Sequence, residues 1–449
     1  WAFFPSVSGG WRVSEEAFWK VNPDLFSNLK IRASYGSLGN GNVSPYSFLE
    51  LLSISTSGRV LNGLKNKYTS APAVMPDGLT WETATTTDVG LDFGMLNNRL
   101  QFNGDYYIRK TTDMYTVGET LPDVFGASSP KGNYADMTTK GWEITLTWRD
   151  QFTLAEKPFN YEIRGTLSDY ISTIDRYNNQ TGNLDDYYAG KRVGEIWGYV
   201  TEGLFKDQAD IDSHADQTLI QSSSKRITYP GDVKIKDLNG DHVIDYGNNT
   251  VDDHGDKTVI GNALPRYAYS INLSGDWNNF FLSAFFQGVG KQDWYPSSEC
   301  IFWGQYNRPY NNMPTWHQGN YWTEDNTDAY LPRYAGYNAS LKSTPQTRYL
   351  QNVAYIRLKN LQFGYTLPQP IVSKAKLQNV RVYISAENLW CWSPLYKHTR
   401  DLDVTNIYGS DPDLTDADMS SGLNGNRGSG DGNSYPQMKS VSLGLSVTF

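Results

Sequence analysis

The C-terminal ten residues, SVSLGLSVTF, constrain the fold of this 449-residue chain more than any other segment. In an extended strand the apolar residues lie on one face, and the serine, glycine and threonine residues lie on the other. The apolar face comprises Val441, Leu443, Leu445, Val447 and the terminal Phe449. This pattern is typical of the closing strand of a bacterial outer-membrane β-barrel, which has lipid on one side and the lumen on the other. The edge strand of a soluble β-sandwich shows the same alternation, so this strand alone does not decide the class.

Composition excludes several other classes of protein. Charged residues make up 19% of the chain, mean hydropathy is -0.55, and no run approaches the roughly 18 apolar residues of a membrane helix. The sequence therefore excludes a helical membrane protein. Aromatic residues make up 14% and glycines number 40, which favours β structure with aromatic girdles and long turns. The net charge of -9 argues against nucleic acid as a partner, because such binding needs a basic face.

The ends and the cysteines add two expectations. The chain begins at Trp1 without Met or a signal peptide, which predicts a processed product or a fragment. Two cysteines, Cys300 and Cys391, are too few for a disulfide scaffold, and the sequence leaves open whether they pair.

Alternating stripes like the terminal one recur along the chain. They lie at Leu29–Tyr35, Val89–Phe93, Leu100–Ile108, Trp142–Trp148, Tyr161–Leu167, Tyr267–Leu273, Phe281–Phe285, Leu361–Leu367 and Val380–Ala386. With a first strand around Ser6 to Val13, the pattern predicts about eleven strands of roughly ten residues, the length that a tilted barrel strand needs to cross the hydrocarbon.

The predicted connections alternate between long and short. The long ones cover 37–82, 112–138, 172–265, 291–350 and 390–436, and the short ones cover 14–27, 96–99, 150–158, 276–279 and 368–378. A barrel with brief periplasmic turns and long extracellular loops has this rhythm, whereas a soluble sandwich has no reason to separate loop lengths in this way. The sequence therefore predicts an all-β fold, an antiparallel transmembrane β-barrel with long extracellular loops.

Several sequence blocks in a fixed order cover nearly the whole chain. They read FFPSVSGGWRVSEEAFW, LKIRASYGSLGNGN, LTWETATTTDVGLDFGMLNNRLQFNGDYYIRKTTDMY, GDVKIKDLNGDHVID, VIGNALPRYAYSINL, YIRLKNLQFGYTLP and VRVYISAENLW. These blocks resemble those of the SusC/RagA-type TonB-dependent transporters. The resemblance implies that residues 1–449 are the C-terminal part of the family's 22-stranded barrel, with the plug domain and the N-terminal strands absent from this chain.

The resemblance also implies a function. Such proteins import a nutrient, here an oligosaccharide or an oligopeptide, across the outer membrane of a Gram-negative bacterium. A SusD-like surface lipoprotein closes over the barrel, and the TonB complex acts through the missing N-terminal region. An open half-barrel would leave two unpaired edges in lipid, so other residues or another chain must complete it. The alternative function is a non-transporting surface glycan-binding or adhesin-like β-protein.

One short motif, DLNGDHVID, carries the chemistry of a calcium loop. Oxygen-bearing side chains recur there at alternate positions, as a loop around a hard cation requires. The candidate metal ligands are Asp237, Asn239, Asp241 and Asp245, with Ca2+ as the candidate cofactor. Two positions depart from the calcium pattern. His242 replaces the usual glycine and must adopt a left-handed conformation, and Asn248 replaces the usual glutamate, so a solvated Asx-rich turn is the alternative.

The predicted loop 291–350 is rich in aromatic residues interleaved with polar ones. Flat aromatic faces beside planar polar groups suit stacking on sugar rings or contacts with peptides. The candidate substrate-binding residues are Trp294, Trp303, Tyr306, Arg308, Trp316 and Trp322. The alternatives are an aromatic belt at the membrane and packing against a lid protein. No catalytic motif such as H-E-x-x-H or G-x-S-x-G is present, so the sequence predicts that the chain is not an enzyme.

Overall fold

The computed structural model describes residues 2–41, 49, 52–69, 78–118, 124, 129–221, 227–296, 300–306, 312–335, 344–405, 407 and 437–449. Eleven strands form one sheet, in which each strand pairs antiparallel with its neighbours in sequence. They are β1 (Ser6–Trp11), β2 (Phe26–Asn40), β3 (Glu82–Met95), β4 (Leu100–Val117), β5 (Lys131–Leu154), β6 (Lys157–Arg176), β7 (Arg266–Trp277), β8 (Phe280–Lys291), β9 (Tyr355–Thr366), β10 (Asn379–Trp392) and β11 (Ser440–Thr448). We call this sheet the wall. It confirms the predicted antiparallel order of about eleven strands.

The strands vary in length more than the sequence predicted. β1 has 6 residues and ends at Trp11 rather than Val13, whereas β5 has 24 residues. The long strands β4, β5 and β6 continue beyond their apolar stripes towards the long connections. Their backbone ladder persists there because hydrogen bonding between strands does not depend on the apolar pattern that marks a membrane-crossing segment.

The alternation of short and long connections is confirmed except at one place: the β4–β5 connection, predicted to be long, has 13 residues, and the β1–β2 connection, predicted to be short, has 14. The β5–β6 turn contains only Ala155 and Glu156, and the β7–β8 turn contains only Asn278 and Asn279. All four residues have positive φ, between 46° and 70°, as tight hairpin turns of the primed types require. The long connections cover 41–81, 118–130, 177–265, 292–354 and 393–439.

Cross-strand pairing places the apolar stripes on one face of the wall, which we call the outer face. On β11, Leu443 lies opposite Ile384 and Leu445 lies opposite Val382. Leu443 is 78% exposed and Leu445 is 66% exposed. The opposite, inner face is polar and charged. A sheet with one apolar and one polar face is the arrangement expected of a barrel wall between lipid and a wet lumen.

One stripe was predicted on the wrong face. In β8 the sequence FFLSAFF allows either set of alternate positions to be the apolar one, and we predicted Phe281 to Phe285. The register places Phe281 opposite Asp276 and Phe285 opposite Asn272, on the inner face. The outer-face residues of this strand are Phe280, Leu282, Ala284 and Phe286. Only pairing with β7 and β9 decides this, because a shift by one residue exchanges the two faces of a strand.

The long connections carry short elements of their own. Their paired strands are Ile54–Leu61 with Leu64–Thr69, Glu195–Tyr199 with Lys257–Asn262, Thr201–Leu204 with Val233–Ile235, Asp293–Trp294 with Gln351–Asn352, and Tyr321–Trp322 with Leu331–Arg333. The α-helices are Gln208–Asp212 and Gln369–Val372, and the 3-10 turns are Val13–Glu15, Thr218–Ile220, Ile301–Tyr306, Thr315–His317, Ser373–Ala375 and Pro394–Lys397. Among the described residues no helix has the length and apolar character to cross a membrane.

These connections bury a hydrophobic cluster, which we call the loop core. It comprises Tyr199, Leu204, Val233, Ile235, Ile244, Trp294, Cys300, Phe302, Trp303, Tyr306, Leu331, Tyr349, Val353, Leu395, Leu402, Val404 and Ile407. The residues come from three long connections, so tertiary contacts join segments that are far apart in sequence. Cys300 lies in this core and is not joined by a disulfide to Cys391.

Candidate functional site

Three of the predicted substrate-binding aromatics lie inside the loop core. Trp294 is 1% exposed, and Trp303 and Tyr306 are 0% exposed. The Trp303 indole donates to the Pro296 carbonyl at 3.2 Å, and the Tyr306 hydroxyl donates to the Pro332 carbonyl at 2.7 Å. Neighbouring side chains cover their ring faces. Any further residues that pack on the loop core would bury these rings more. In this arrangement the three residues pack in the loop core, and their predicted role in substrate binding stays a prediction.

The physical reason lies in the length of the connections. A loop of about 60 residues cannot keep a defined shape without burying apolar surface, because ordering each residue costs about 1–2 kcal/mol of backbone entropy. Large aromatic rings supply much of that buried area. Arg308, also predicted to bind substrate, lies outside the described residues, and its role stays a prediction.

Trp316 lies at the edge of the loop core and is only half-buried. Its ring centroid is 5.0 Å from that of Phe302, which anchors it to the core. On another side it approaches Tyr330 at 6.4 Å and His398 at 5.7 Å. The Tyr330 and His398 rings stack on each other at 4.5 Å, with an interplanar angle of 13°. We call Trp316, Tyr330 and His398 the aromatic triad.

The triad joins two connections that are distant in sequence. Trp316 and Tyr330 precede β9, whereas His398 follows β10. Sequence reasoning missed His398, because a single histidine among polar residues has no motif that marks it. Burial, with a contribution from the neighbouring Lys397, lowers the pKa of His398 and favours the uncharged ring. An uncharged, half-buried group of three rings is suited to van der Waals contact with a flat solute.

Trp322 belongs to a second half-buried patch, formed with Tyr229 and Arg333. The Arg333 guanidinium lies 4.5 Å from the Tyr229 ring centroid, and its Nε donates to Asp232 at 2.7 Å. Burial raises the pKa of Asp232, and the charge of Arg333 opposes that rise. Gly231 has a φ of 84°, and a Cβ atom there would lie 2.5 Å from the Trp322 ring. Glycine at this position therefore allows the ring to approach the backbone.

His317 packs against Trp316 of the aromatic triad. It is fully buried, and its Nε2 lies 2.9 Å from the Phe302 carbonyl, to which it donates. Its ring is perpendicular to that of Trp316, with centroids 4.2 Å apart. Burial lowers the pKa of His317 to about 4, so the ring is neutral at neutral pH. This buried contact helps to hold Trp316 in place.

The calcium-like loop is folded as a series of Asx turns. Asp237 accepts hydrogen bonds from the backbone N–H groups of Gly240 at 2.6 Å and His242 at 3.0 Å, and these bonds lower its pKa. Asp241 accepts from the Val243 N–H at 2.8 Å. His242 has a φ of 65°, so its predicted left-handed conformation is confirmed. Within the described residues no group of three or more His, Cys, Asp or Glu side chains is placed to hold a metal ion. Binding of Ca2+ stays a prediction.

The inner face of the wall carries ion pairs. Arg32 on β2 donates to Asp92 on β3 and to Asp105 on β4, each at 2.9 Å. Near the short turns, a groove of about 860 Å³ is lined by Arg149 and Glu162, among other polar side chains. This face is therefore suited to water and polar solutes rather than lipid.

Comparison with known proteins identifies the family. A family model described as "TonB dependent receptor-like, beta-barrel" matches residues 1–389. The chain belongs to the TonB-dependent receptor family. This is a family of outer-membrane receptors and transporters of Gram-negative bacteria, not a class of enzymes.

Individual relatives agree with this assignment. TonB-dependent receptor P26 of Formosa agariphila is 28% identical over 469 residues, covering 100% of this chain and 42% of that protein. TonB-dependent receptor SusC of Bacteroides thetaiotaomicron is 23% identical over 465 residues, covering 100% of this chain and 40% of that protein. The chain thus spans about two-fifths of the length of these TonB-dependent receptors.

Solved structures show the same fold. The RagAB peptide importer in its closed-closed state matches with a TM-score of 0.69 and 20% identity, over 100% of this chain and 44% of that chain. The RagAB peptide transporter matches with a TM-score of 0.67 and 20% identity, over 87% of this chain and 40% of that chain. The resemblance to SusC/RagA-type transporters inferred from the sequence blocks is confirmed.

Proposed function

We propose that this chain is the C-terminal part of an outer-membrane importer that takes up an oligosaccharide or an oligopeptide. The observation that carries the proposal is the combination of two features. The wall separates an apolar outer face from a charged inner face, and the loop core lies at the end of the wall where the long connections meet. A wall of this kind encloses a polar path through lipid, and a folded set of loops can capture a solute before it enters the path.

The remaining part of the barrel comes from residues outside this chain. Among the described residues, β1 pairs only with β2, and β11 pairs only with β10. A strand edge in hydrocarbon leaves backbone groups unpaired, at several kcal/mol for each group, so the edges of β1 and β11 require strands that close the barrel. Family membership supports a source for these strands, since the relatives are more than twice as long as this chain.

Two partners follow from the proposal. A SusD-like surface lipoprotein docks on the long connections, and the TonB complex acts through the region that precedes this chain in a complete protein. The structural likeness to the RagAB peptide transporter and the sequence similarity to SusC support the first partner. Exposed aromatic residues on the loops provide surface for it.

The solute contacts the aromatic triad and the patch of Trp322, Tyr229 and Arg333. The half-exposed rings offer flat surfaces, and the guanidinium offers N–H donors to hydroxyl or carbonyl oxygens. Sugar rings and peptide side chains both fit this chemistry. Both patches lie on the loop core, so the solute is held outside the wall before transport.

The partnership is tested with the complete protein in native outer membranes. Affinity purification in mild detergent should recover an outer-leaflet lipoprotein in about equal amount, and cells should take up the solute unmodified. Recovery of the barrel alone under several detergents contradicts the two-component importer. Solute that is retained at the cell surface, with no uptake, instead supports the glycan-binding or adhesin-like alternative.

The solute patches are tested by two substitutions, Trp316→Ala and Trp322→Ala. Each should weaken solute binding by about tenfold, because roughly 1.4 kcal/mol of ring contact is lost. Trp390→Ala is the matched control, since Trp390 lies on β10, is exposed, and is not among the residues that form the loop core or pack against it. Co-purification of the lipoprotein should not change in any variant, which separates a loss of solute contact from a loss of folding. Equal solute affinity in all three variants contradicts the assignment.

A further inference from the structure

The patch of Trp322, Tyr229 and Arg333 is built on a tightly bonded turn. Residues 229–232 read Tyr-Pro-Gly-Asp, and the Asp232 N–H donates to the Tyr229 carbonyl at 3.0 Å. Proline in the second position and glycine in the third, with a φ of 84°, are the signature of a type II turn. The Asp232 carboxylate adds a second bond, because its Oδ2 accepts from the Tyr229 N–H at 2.9 Å. The turn therefore fixes Tyr229 and Asp232 relative to each other.

A short parallel strand pair brings Arg333 to this turn. Trp322 and Arg333 are partners in the pair, and the Arg333 N–H donates to the Gly231 carbonyl at 2.8 Å. The Arg333 Nε donates to Asp232 Oδ1 at 2.7 Å, and Cζ lies 4.5 Å from the centroid of the Tyr229 ring. The Asp232 side chain is only 3% exposed. A buried carboxylate and an aromatic ring thus hold the guanidinium in one orientation, which lowers the entropy that it loses when it binds a ligand.

The outer edge of this guanidinium is not in use. Arginine carries five N–H donors, and within the described residues only the Nε–H of the Arg333 side chain donates a hydrogen bond. Its two Nη atoms donate none there, and the side chain is 27% exposed. Two parallel N–H groups from a pair of Nη atoms match the two oxygens of a carboxylate.

The carboxylates of the protein leave this edge open. Asp232 occupies the Nε side and is already bonded to the turn. The other carboxylates of the same connection, Glu324, Asp325 and Asp328, are exposed, and none forms an ion pair with Arg333 in the described part of the chain. The Nη atoms are therefore available to a carboxylate that comes from outside the protein.

Trp322 provides a flat surface beside the guanidinium. A Cβ atom on Gly231 would lie 2.5 Å from the Trp322 ring and 2.8 Å from the Arg333 Cβ, so the indole and the stem of the arginine meet over this glycine. A ring or side chain that packs on the indole can carry a carboxylate within reach of the Nη atoms. A uronic acid residue has this form, and so does the C-terminal residue of a peptide.

We propose that the patch recognises a carboxylate on the imported solute. Arg333 binds the carboxylate through its two Nη atoms, Tyr229 and Asp232 position the guanidinium, and Trp322 contacts the group that bears the charge. This inference rests on the proposed import function and narrows the solute to an acidic one. The carboxylate belongs either to a uronic acid residue of an oligosaccharide or to a peptide, and the test distinguishes these two sources.

The test measures solute retention by the complete protein, purified in mild detergent. The probes are oligogalacturonides from pectin and tryptic peptides from casein, each with a matched sample in which the carboxyl groups are methyl esters. Mass spectrometry of the retained material gives the ratio of acid to ester. The unmodified protein should retain the acid about tenfold more than the ester from one of the two mixtures, because hydrogen bonds between charged groups are the stronger ones. The mixture that shows this preference identifies the source of the carboxylate.

Three variants remove the charge or the fork. Arg333→Gln should lower the ratio of acid to ester to about one, but it leaves Asp232 buried without its cation. The double variant Asp232→Asn/Arg333→Gln leaves no buried charge and keeps a side-chain oxygen for the Tyr229 N–H, and it should lower the ratio equally. Arg333→Lys retains a cation for Asp232 but has no planar fork, so it should also lose most of the preference.

Two further variants show that the effect is specific. Trp322→Ala should weaken retention of acid and ester alike, because it removes ring contact and no charge. Arg381→Gln is the matched control and should leave the ratio unchanged. Arg381 also lies over an aromatic ring, that of Phe281 at 4.6 Å, but it is on the inner face of β10 in the wall.

Equal retention of acid and ester by the unmodified protein overturns the proposal, and so does retention of neither acidic mixture. A preference that persists in both Arg333→Gln and the double variant overturns it as well. Uptake by cells judges the import function separately. Uptake of the methyl esters without any preference for the acids contradicts the carboxylate site and leaves import intact, whereas no uptake of any sample contradicts import itself.

Discussion

The wall and the loop core place the same kinds of side chain in opposite environments. On β11, Leu445 is 66% exposed, whereas Leu331 in the loop core is 0% exposed. Trp390 on β10 is 48% exposed, whereas Trp303 is 0% exposed. The loop core is stabilised as a water-soluble domain is, by removing apolar surface from water. The wall instead presents its apolar surface outward, as a protein solvated by lipid does.

This difference explains why aromatic content alone does not distinguish the aromatic residues of the loop core from those of the exposed patches. Aromatic rings in one chain lie in the membrane girdle, in the loop core and in exposed patches. The amino-acid composition counts all three kinds together and does not distinguish them. Trp303 and Trp316 are only 13 residues apart, yet one is buried in the core and the other lies at its edge. Interfaces and cores both select large rings, so only burial separates the two.

The largest expected effect tests whether the two regions respond differently to the same deletion. Leu331→Ala should destabilise the loop core by about 2–5 kcal/mol, because it leaves a cavity in a packed interior. Leu445→Ala is the matched control and should cost less than about 1 kcal/mol, since its side chain faces outward and lipid can fill the space. Denaturation and limited proteolysis of the loops in the complete protein measure both. Equal losses would show that the outer face is packed against protein.

The second test introduces a charge on the wall. Leu445→Arg should cost about 2–4 kcal/mol and reduce insertion if the residue lies near the middle of the bilayer. Ser442→Arg is the control, because Ser442 lies on the inner face opposite Ser385. Ser446 is a poorer control, since it lies opposite Arg381 and a second arginine there would add repulsion. Assembly into the outer membrane is the measurement, and equal yields of the two variants would contradict the lipid-facing assignment.

The third test uses pH to affect the loop core without affecting the wall. An unfolded histidine titrates near 6.5, whereas burial lowers the pKa of His317 to about 4. The unfolded state therefore binds more protons between these values. The stability that the neutral ring contributes is complete above pH 6.5 and declines as the pH falls towards 4, by about 1–3 kcal/mol.

Loop proteolysis as a function of pH measures this decline in the complete protein. His317→Gln should remove the part of the pH dependence that His317 contributes, because the amide does not titrate in this range, and leave the part due to His398, whose pKa burial also lowers. The assembly of the wall should not respond over the same interval. An identical pH dependence in the variant would show that other groups cause the loss.

The smallest effect concerns the calcium-like loop. His242→Gly should stabilise this loop by about 0.5–1 kcal/mol, because the left-handed φ of 65° is strained for a residue with a Cβ atom. Amide hydrogen exchange of residues 237–245 measures the change, and Asp241→Asn serves as a control that keeps the turn but removes one charge. Slower exchange in His242→Gly only when Ca2+ is added would indicate that the loop binds the ion. Faster exchange in His242→Gly would contradict the strain.

Periodicity in the sequence was sufficient to predict the wall. Side chains of a strand alternate between two faces, so a lipid-facing strand must show an apolar residue at every second position. The stripes at Leu100–Ile108 and Trp142–Trp148, the short turns and the eleven antiparallel strands all follow from this local rule. The resemblance of the ordered blocks added the family.

Only the tertiary structure decided the rest. The face of β8 depends on its pairing with β7 and β9, because FFLSAFF is apolar at both sets of alternate positions. The burial of Trp303 and the assembly of Trp316, Tyr330 and His398 depend on contacts between connections that are up to about 200 residues apart in the chain. Such contacts have no period in the sequence, because irregular loops pack by shape and volume rather than by a repeating backbone geometry.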